Sequence, residues 1–524
     1  VKQNVNTADR QITRAAGVVM VGMALSSVTG LVTTMMVSHA FGTSAELDAF
    51  YAANRLTEIL FNLMAGGALA SAFIPTFTDF LTRKDHMGAW RLASSIANLL
   101  FILLSFVAVL ASFAAPWLVR NVLAPGFEDQ ALINLTVLLL RVMLISSVVF
   151  GISGLLMGIL NAHHSFALPA LAPAFYRIGW MLGIWFLVPR MGIHGLAWGV
   201  VLGSLLHLLI QIPGLRNLKM QYDPILNIKD PSVRQVGRLM GPRLVGVAVV
   251  QINFLVNTII ASTQPEGSLS AINLAFTLMI MPQAVIAQAT GIAALPTFSQ
   301  QVSRGNLNEM RTSLANTLRS VLFLSLPASL GLILLRKPLV SLLLQRGAFD
   351  IDSTEKVSWA LLWYAAGLVG HSLLEIVVRA FYAMKDTRTP VIVGAIAMSL
   401  NVIYSLLFTS LFQNIGWAPH GGLALANSLA TALECLTLLY LIRLRLKGLD
   451  LRSHLRGILA TFGAAAVMSI VLYFWLEQTM ANSTLLSAGG GVVLGGAIYW
   501  GASLILGAPD ARQYPESLLR RLNE

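Results

Sequence analysis

Two pairs of opposite charges sit inside long apolar stretches of this chain. Arg55 and Glu58 lie three residues apart in "DAFYAANRLTEIL" (48–60), and Glu375 and Arg379 lie four apart in "LEIVVRAFY" (374–382). At helical spacing each pair shares one face and neutralises itself. A charge at mid-bilayer costs about 2.5–3.5 kcal/mol on insertion scales, so an ionisable group kept there marks a candidate substrate or ion pathway. The competing reading is a structural ion pair near a helix end, with Arg379 reaching the interface along its own aliphatic stem. A third stretch, "GPRLVGVAVVQINFLVNTIIAS" (241–262), carries Arg243, Gln251, Asn253 and Asn257. Its amides either line water or bind neighbouring helices, and Arg243 has no acidic residue on the same stretch. Arg177 and Arg141 also lack local partners, and Glu434 lies deep in an apolar segment as a partner for one of them or as a proton site. His163 and His164 fall at a turn, while His39, His207 and His371 are isolated within apolar segments; none has metal-ligand spacing. With no phosphate-binding glycine loop and no Ser, His and acid arrangement on a loop, neither a cofactor, a metal nor an enzymatic reaction is expected.

The elements that hold these residues follow from composition. Of 524 residues 56% are hydrophobic and 11% charged, against roughly 25% charged in a soluble domain. Apolar stretches long enough to cross about 30 Å of hydrocarbon recur along the chain. About fourteen are read, at 15–40, 48–76, 90–118, 132–159, 167–188, 193–214, 240–262, 268–298, 315–335, 357–383, 390–412, 420–442, 457–476 and 485–507. The first is too long for a signal peptide and has no clear cleavage site after it, so it is expected to be retained. The one cysteine, Cys435, excludes an internal disulfide and any multi-cysteine metal site. A net charge of +12 is compatible with nucleic-acid binding, but in a polytopic protein a basic excess more often sets orientation. With the N-terminus placed inside, 23 lysines and arginines fall in one set of connections and 6 in the other. Both termini are therefore expected in the cytoplasm.

The connections also repeat. "GILNAHHSFALP" (158–169) and "RAFYAMKDTRTP" (379–390) are similar hairpin turns, each ending in a proline. The interval from Pro169 to Pro390 recurs from Pro75 to Pro296, which open two copies of "PTF", and from Gly126 to Gly347 in two loops. Two tandem units of six helices are expected, 15–215 and 236–442, followed by two extra helices within 455–507 and a cytoplasmic tail, 508–524. Because six is even, both units enter from the same side, as parallel repeats that usually enclose a central cavity open to either side in turn. The fold class is thus an all-α polytopic membrane protein with two parallel six-helix lobes, and its architecture is that of a transporter.

Several stretches resemble a known family. "FGTSAELDAFYAANRL" (41–56), "GALASAFIPTF" (67–77), "VLAPGF" (122–127), "GILNAHHSFALPALAP" (158–173), "MGPRLVGVAVVQINFLVNT" (240–258), "LPTFS" (295–299), "RGAFD" (346–350) and "AFYAMKDTRTP" (380–390) are similar to the MurJ/MviN family of lipid II flippases. That family lies within the multidrug/oligosaccharidyl-lipid/polysaccharide exporter superfamily. The resemblance implies a cationic cavity for the diphosphate and sugar-peptide head of the substrate, and a groove along the last two helices for its lipid tail. Moving a diphosphate through a low-dielectric slot calls for fixed positive charge, and arginine bonds phosphate oxygens bidentately.

The chain departs from the family at several charged positions. Ser27 and Thr33 stand where the first helix usually has arginines, Thr34 where it has an acid, and Phe61 and Asn62 where many members carry an arginine pair; "AFTLMIMP" (275–282) lacks the usual charges of the eighth helix. Asp48 does match the family's acid after the first helix. The expected substrate-binding residues are therefore Arg55, Arg177 and Arg243 with Asp48, Glu58, Gln251 and Asn257, and Glu434 or Glu375 is the expected ion or proton site. The expected partners are a lipid-linked oligosaccharide substrate and membrane lipids, with cell-wall synthesis proteins as candidates, no nucleic acid, and the chain a monomer in the inner membrane. Export of another polyprenyl-linked or amphipathic substrate, and a scaffold that transports nothing, are the alternatives.

Overall fold

In the computed structural model, residues 2–64, 68–218, 220–449, 451–479 and 483–512 are described, and all regular structure among them is helical. Twelve of these helices are long and apolar enough to cross a membrane, and Pro231–Gly241 with Gly246–Ser262, bent by 47°, makes a thirteenth. The remaining expected span, 48–76, runs through residues 65–67, outside the described residues; it is flanked by helices Ala45–Met64 and Ala68–Thr82.

Aspartates set where several helices start. Asp85, Asp129, Asp230 and Asp350 each accept a backbone N–H of the first turn, at 2.8–2.9 Å, which satisfies a donor that the helix itself cannot. That bond holds the Asp350 carboxyl below its ordinary range. Much of the acidic content of the loops is thus used in capping.

The repeat seen in the sequence recurs in the backbone. His164 and Lys385, separated by the interval of the paired prolines, both adopt left-handed conformations, with φ of 57° and 59°. Lys84 and Gly305 do the same at the same interval, with φ of 57° and 74°. Each closes its helix with a matching pair of hydrogen bonds, as in His164 N to Asn161 O and Lys385 N to Tyr382 O, the usual way a helix is stopped. A lysine and a histidine adopt this conformation where glycine is the ordinary choice, so the turn geometry has kept its register while the side chains changed.

Asp386 follows one of these turns and accepts bonds from the backbone N–H groups of Arg388 and Thr389, from the Thr389 hydroxyl and from the Arg445 guanidinium. These donors pull its carboxyl down to about 2, the Thr389 hydroxyl most strongly. A depressed carboxylate contributes stability above its unfolded-state value and loses it as pH falls through the folded one. Thermal unfolding followed between pH 4 and pH 2 is expected to show this loss, and Asp386→Asn to flatten that part of the profile while lowering stability at pH 7.

The chain divides into two compact units, Val1–Leu269 and Ser270–Glu524. In the first unit, Phe50, Leu139, Leu140, Met143, Leu196 and Val200 form one fully enclosed core, and Phe73, Phe77, Leu155 and Leu160 belong to another. Helix Pro231–Ser262, which opens the second sequence repeat, packs on Ala45–Met64 and Ala68–Thr82 of this unit. In the second unit Phe298, Met310, Ile376 and Phe381 belong to one core. The last two helices build another with Phe323, Ala464, Met468 and Tyr499, whose hydroxyl donates to Phe323 O at 2.6 Å. After the last span the chain turns inward, burying Ala508, Asp510 and Ala511. The Asp510 carboxylate meets Arg319 at 2.8 Å and accepts from the Ser320 hydroxyl at 2.8 Å. Residues 513–524 of the expected tail lie outside the described residues.

Candidate functional site

Two helices of the first unit bring polar side chains together in matched steps. Arg55 Nε donates to the Thr258 hydroxyl at 2.9 Å, and Asn62 Nδ2 reaches Gln251 Oε1 at 3.5 Å. Arg55 and Asn62 are seven residues apart, as are Gln251 and Thr258, so the helices run antiparallel with one polar residue every two turns facing the other. That spacing is visible in the sequence for each helix separately and puts Thr258 on the face of Gln251, but it does not name Arg55 as the partner.

Arg55 is held from three directions. Its Nη1 meets Glu58 Oε2 at 2.7 Å, Thr258 accepts from Nε, and the guanidinium carbon lies 5.5 Å from the centre of the Phe254 ring. Glu58 also accepts from Asn54 Nδ2 at 2.9 Å. Its side chain is 43% exposed against 13% for Arg55, so the pair has an open carboxylate and an enclosed guanidinium.

Arg177 approaches from another helix. Gly179 and Gly183 lie against Gly203 and Gly199 so closely that a Cβ on Gly179 would stand 2.1 Å from Gly203 Cα. Backbone packed on backbone fixes the helix that carries Arg177. Its guanidinium lies 5.8 Å from the Tyr176 ring and 5.5 Å from that of Trp180, a cation–π arrangement. Among the described residues it forms no ion pair. Arg55 and Glu58 thus stand at the Phe254 ring, and Arg177 stands at the rings of Tyr176 and Trp180.

The other candidates are placed differently. Arg243 is exposed, near the bend of helix Pro231–Ser262. Fifteen positions separate it from Thr258, ~22 Å along a helix, and no contact among the described residues joins it to Arg55 or Arg177. Asn257 is half-buried one position from Thr258. Asp48 is buried and accepts from Gly267 N at 2.7 Å, while Glu266 Oε1 accepts from Ala45 N at 2.9 Å. These bonds clasp the loop after the first helix to the loop after Ser262. Gly267 is required there: its φ is +84°, and a Cβ would stand 2.4 Å from Thr43 O. Replacing Asp48 with alanine strands a buried N–H and removes a charged acceptor, so a loss of about 1.5–3 kcal/mol is expected, measured as reduced resistance to thermal unfolding in detergent.

In the second unit Glu375 pairs with Arg379 at 2.7 Å, and the arginine stem lies on Gly291. Glu434 is buried, with Oε1 facing Gly394, and forms no ion pair among the described residues. Ser27, Thr33 and Thr34 each bond a carbonyl one turn back. Phe61 packs against Phe150 with ring centres 4.4 Å apart and planes tilted by 57°, beside His207. No group of three or more potential metal ligands occurs among the described residues.

Residues 37–488 match the family model described as lipid II flippase MurJ. The chain is 31% identical over 500 residues to the lipid II flippase MurJ of Burkholderia cenocepacia, covering 92% of this chain and 95% of that one. It is also 31% identical over 529 residues to the probable lipid II flippase MurJ of Vibrio cholerae, covering 96% and 97%. Among solved structures, a lipid II flippase MurJ in an inward closed conformation superposes with a TM-score of 0.80 at 24% identity, over 95% of this chain and 99% of that one. An inward-facing multidrug resistance transporter of the MATE family gives 0.68 at 15% identity, over 82% and 99%. The polytopic helical fold, its repeated turns and a match running through most of its length make this chain a member of the lipid II flippase MurJ family.

Proposed function

We propose that this protein moves lipid II, the lipid-linked peptidoglycan precursor, from the inner to the outer leaflet of the cytoplasmic membrane by alternating access, with both termini in the cytoplasm. The observation that carries this reading is the family match across residues 37–488. Arg55 and Arg177 supply the positive charge that a diphosphate needs, in place of the arginines missing at Ser27, Thr33, Phe61 and Asn62. Arg177 supports this role because, among the described residues, its charge is met by rings and by no carboxylate, which leaves its hydrogen-bond donors for phosphate oxygens. Arg55 is pre-oriented by Glu58 and Thr258, so little of its rotamer freedom remains to be lost on binding.

The lipid tail takes the apolar groove of the second unit, about 450 Å³ in volume and lined by Met281, Pro327, Leu335, Leu472, Gly495 and Trp500. Its walls offer almost no hydrogen-bonding groups, which suits a polyprenyl chain and excludes the sugar-peptide head. The deciding experiment is rescue: the chain is expressed in a bacterium whose own lipid II flippase is switched off, and viability is followed with the amount of lipid II exposed outside. Restored growth together with restored exposure is expected. Failure of both, with the protein present in the membrane, overturns this reading in favour of another lipid-linked cargo or of a scaffold that transports nothing.

A further inference from the structure

The two units carry the same crevice. In the second unit a cavity of about 310 Å³ is lined by Leu318, Leu322, Leu373, Leu436, Tyr440 and Arg443, among others. In the first unit a cavity of about 800 Å³ is lined by Ala97, Phe101, Ile152, Leu215, Arg216 and Tyr222, among others. Ala97 and Leu318, Phe101 and Leu322, Ile152 and Leu373, and Leu215 and Leu436 are each separated by the repeat interval that relates Pro169 to Pro390, so both crevices stand at one place in the repeat. Neither belongs to the charged cluster around Arg55 or to the groove of the last two helices.

A polar side chain at one repeat position ties a segment of chain beside each crevice. Asn98 holds the linker, donating to Ile225 O at 2.9 Å and accepting from the Tyr222 hydroxyl at 2.6 Å. Its counterpart Arg319 holds Asp510. The crevices open outward past Phe101 in one unit and past Leu436 and Tyr440 in the other, all more than half exposed. In a bilayer such a surface faces acyl chains.

Each crevice also carries one exposed arginine whose side chain makes no hydrogen bond or ion pair among the described residues: Arg216 in the first and Arg443 in the second. Both lie in the last turn of their helices, Ile212–Asn217 and His420–Arg445. They do not occupy the same repeat position. A helix C-terminus favours a cation wherever it ends; the dipole accounts for the arginine but not for an apolar crevice beneath it. Both arginines belong to the lysine- and arginine-rich set of connections read from the sequence, and each lies at the end of an apolar helix, where headgroups are expected.

We propose that each crevice binds one phospholipid with an anionic headgroup, an acyl chain lying in the cavity and the phosphate on Arg216 or Arg443. Basic pockets between transmembrane helices recognise anionic lipids in this manner. The ligand is a phospholipid of the bilayer, distinct from the transported substrate.

The test uses the full chain purified in detergent, with bound lipid counted by native mass spectrometry during titration with phosphatidylglycerol or phosphatidylcholine of the same chain length. Two phosphatidylglycerol molecules are expected to be retained more tightly than phosphatidylcholine. Arg443→Gln and Arg216→Gln should each weaken one of the two about fivefold, the equivalent of ~1 kcal/mol for one arginine at a membrane surface. Leu436→Trp, at an exposed position that tolerates bulk, should fill the second crevice and remove the molecule that Arg443 holds. Equal retention of the two lipids, or wild-type retention in both glutamine variants, overturns the proposal. So does displacement of phosphatidylglycerol by a polyprenyl diphosphate whose own binding is lost in Arg443→Gln, since the crevice would then serve the substrate.

Discussion

Arg55→Ala is expected to reduce the outward movement of lipid II by about ten- to a hundredfold, because a hydrogen bond to a charged group is worth about 1.5–3 kcal/mol. The measurement is the lipid II exposed outside in the rescue strain, with the variant's amount in the membrane matched to wild type. Two effects hide in this one substitution. The arginine no longer meets the diphosphate, and Glu58 loses the partner it holds at 2.7 Å, leaving a carboxylate uncompensated within the membrane. Arg55→Ala combined with Glu58→Gln separates them. If the stranded carboxylate causes the loss, the double variant recovers; if Arg55 contacts substrate, it stays as poor as the single one. Arg55→Lys keeps the charge but has no planar fork with which to serve Thr258, Glu58 and a phosphate together. An intermediate rate is expected from it. Wild-type exposure of lipid II in Arg55→Ala would remove Arg55 from the substrate path.

Asp510→Ala is expected to cost about 3–5 kcal/mol of stability, the range for breaking a buried ion pair by removing one partner. Arg319 is 9% exposed and Asp510 is 1% exposed. The carboxylate also takes the Ser320 hydroxyl, so two side chains lose three hydrogen bonds at once. The damage should centre on the last two helices, because Asp510 follows them and ties the chain back to helix Leu307–Leu344. Heating the purified protein in detergent and following the loss of monodisperse material measures the effect. Asp510→Asn, which keeps the shape and some hydrogen bonding, should fall between. The double variant Arg319→Met, Asp510→Leu should recover much of the loss, since apolar residues of similar volume replace buried pairs at little cost. A wild-type profile for Asp510→Ala would mean that burial of Ala508 and Ala511 alone seats this segment.

The membrane class, thirteen of the fourteen helical spans, the interval of the internal repeat and the ion pairs Arg55–Glu58 and Glu375–Arg379 were legible in the chain. Each depends on something local. Span length answers to bilayer thickness, a pair at three or four residues answers to the pitch of one helix, and a turn present in both copies keeps its register. The family resemblance rests on short contiguous motifs and is legible for the same reason.

What lay beyond the sequence was which segments meet. Thr258 holds Arg55 from 203 residues away in sequence, with the Phe254 ring one turn before it, and nothing in either helix alone names the other. Asp48 matched a family position, yet only the folded chain sets its carboxylate on the Gly267 amide. Arg319 falls within the expected span 315–335 and Asp510 within the expected tail 508–524, and in the fold they form a buried pair. Arg177 and Arg243 were equivalent on paper, each an arginine without a local partner; the tertiary structure set one against the rings of Tyr176 and Trp180 and left the other exposed near a bend. Composition and periodicity report what a residue costs to bury within its own helix. Whether that cost is met by a partner, by a ring or by solvent depends on the packing of distant helices, and the tertiary structure alone decided it.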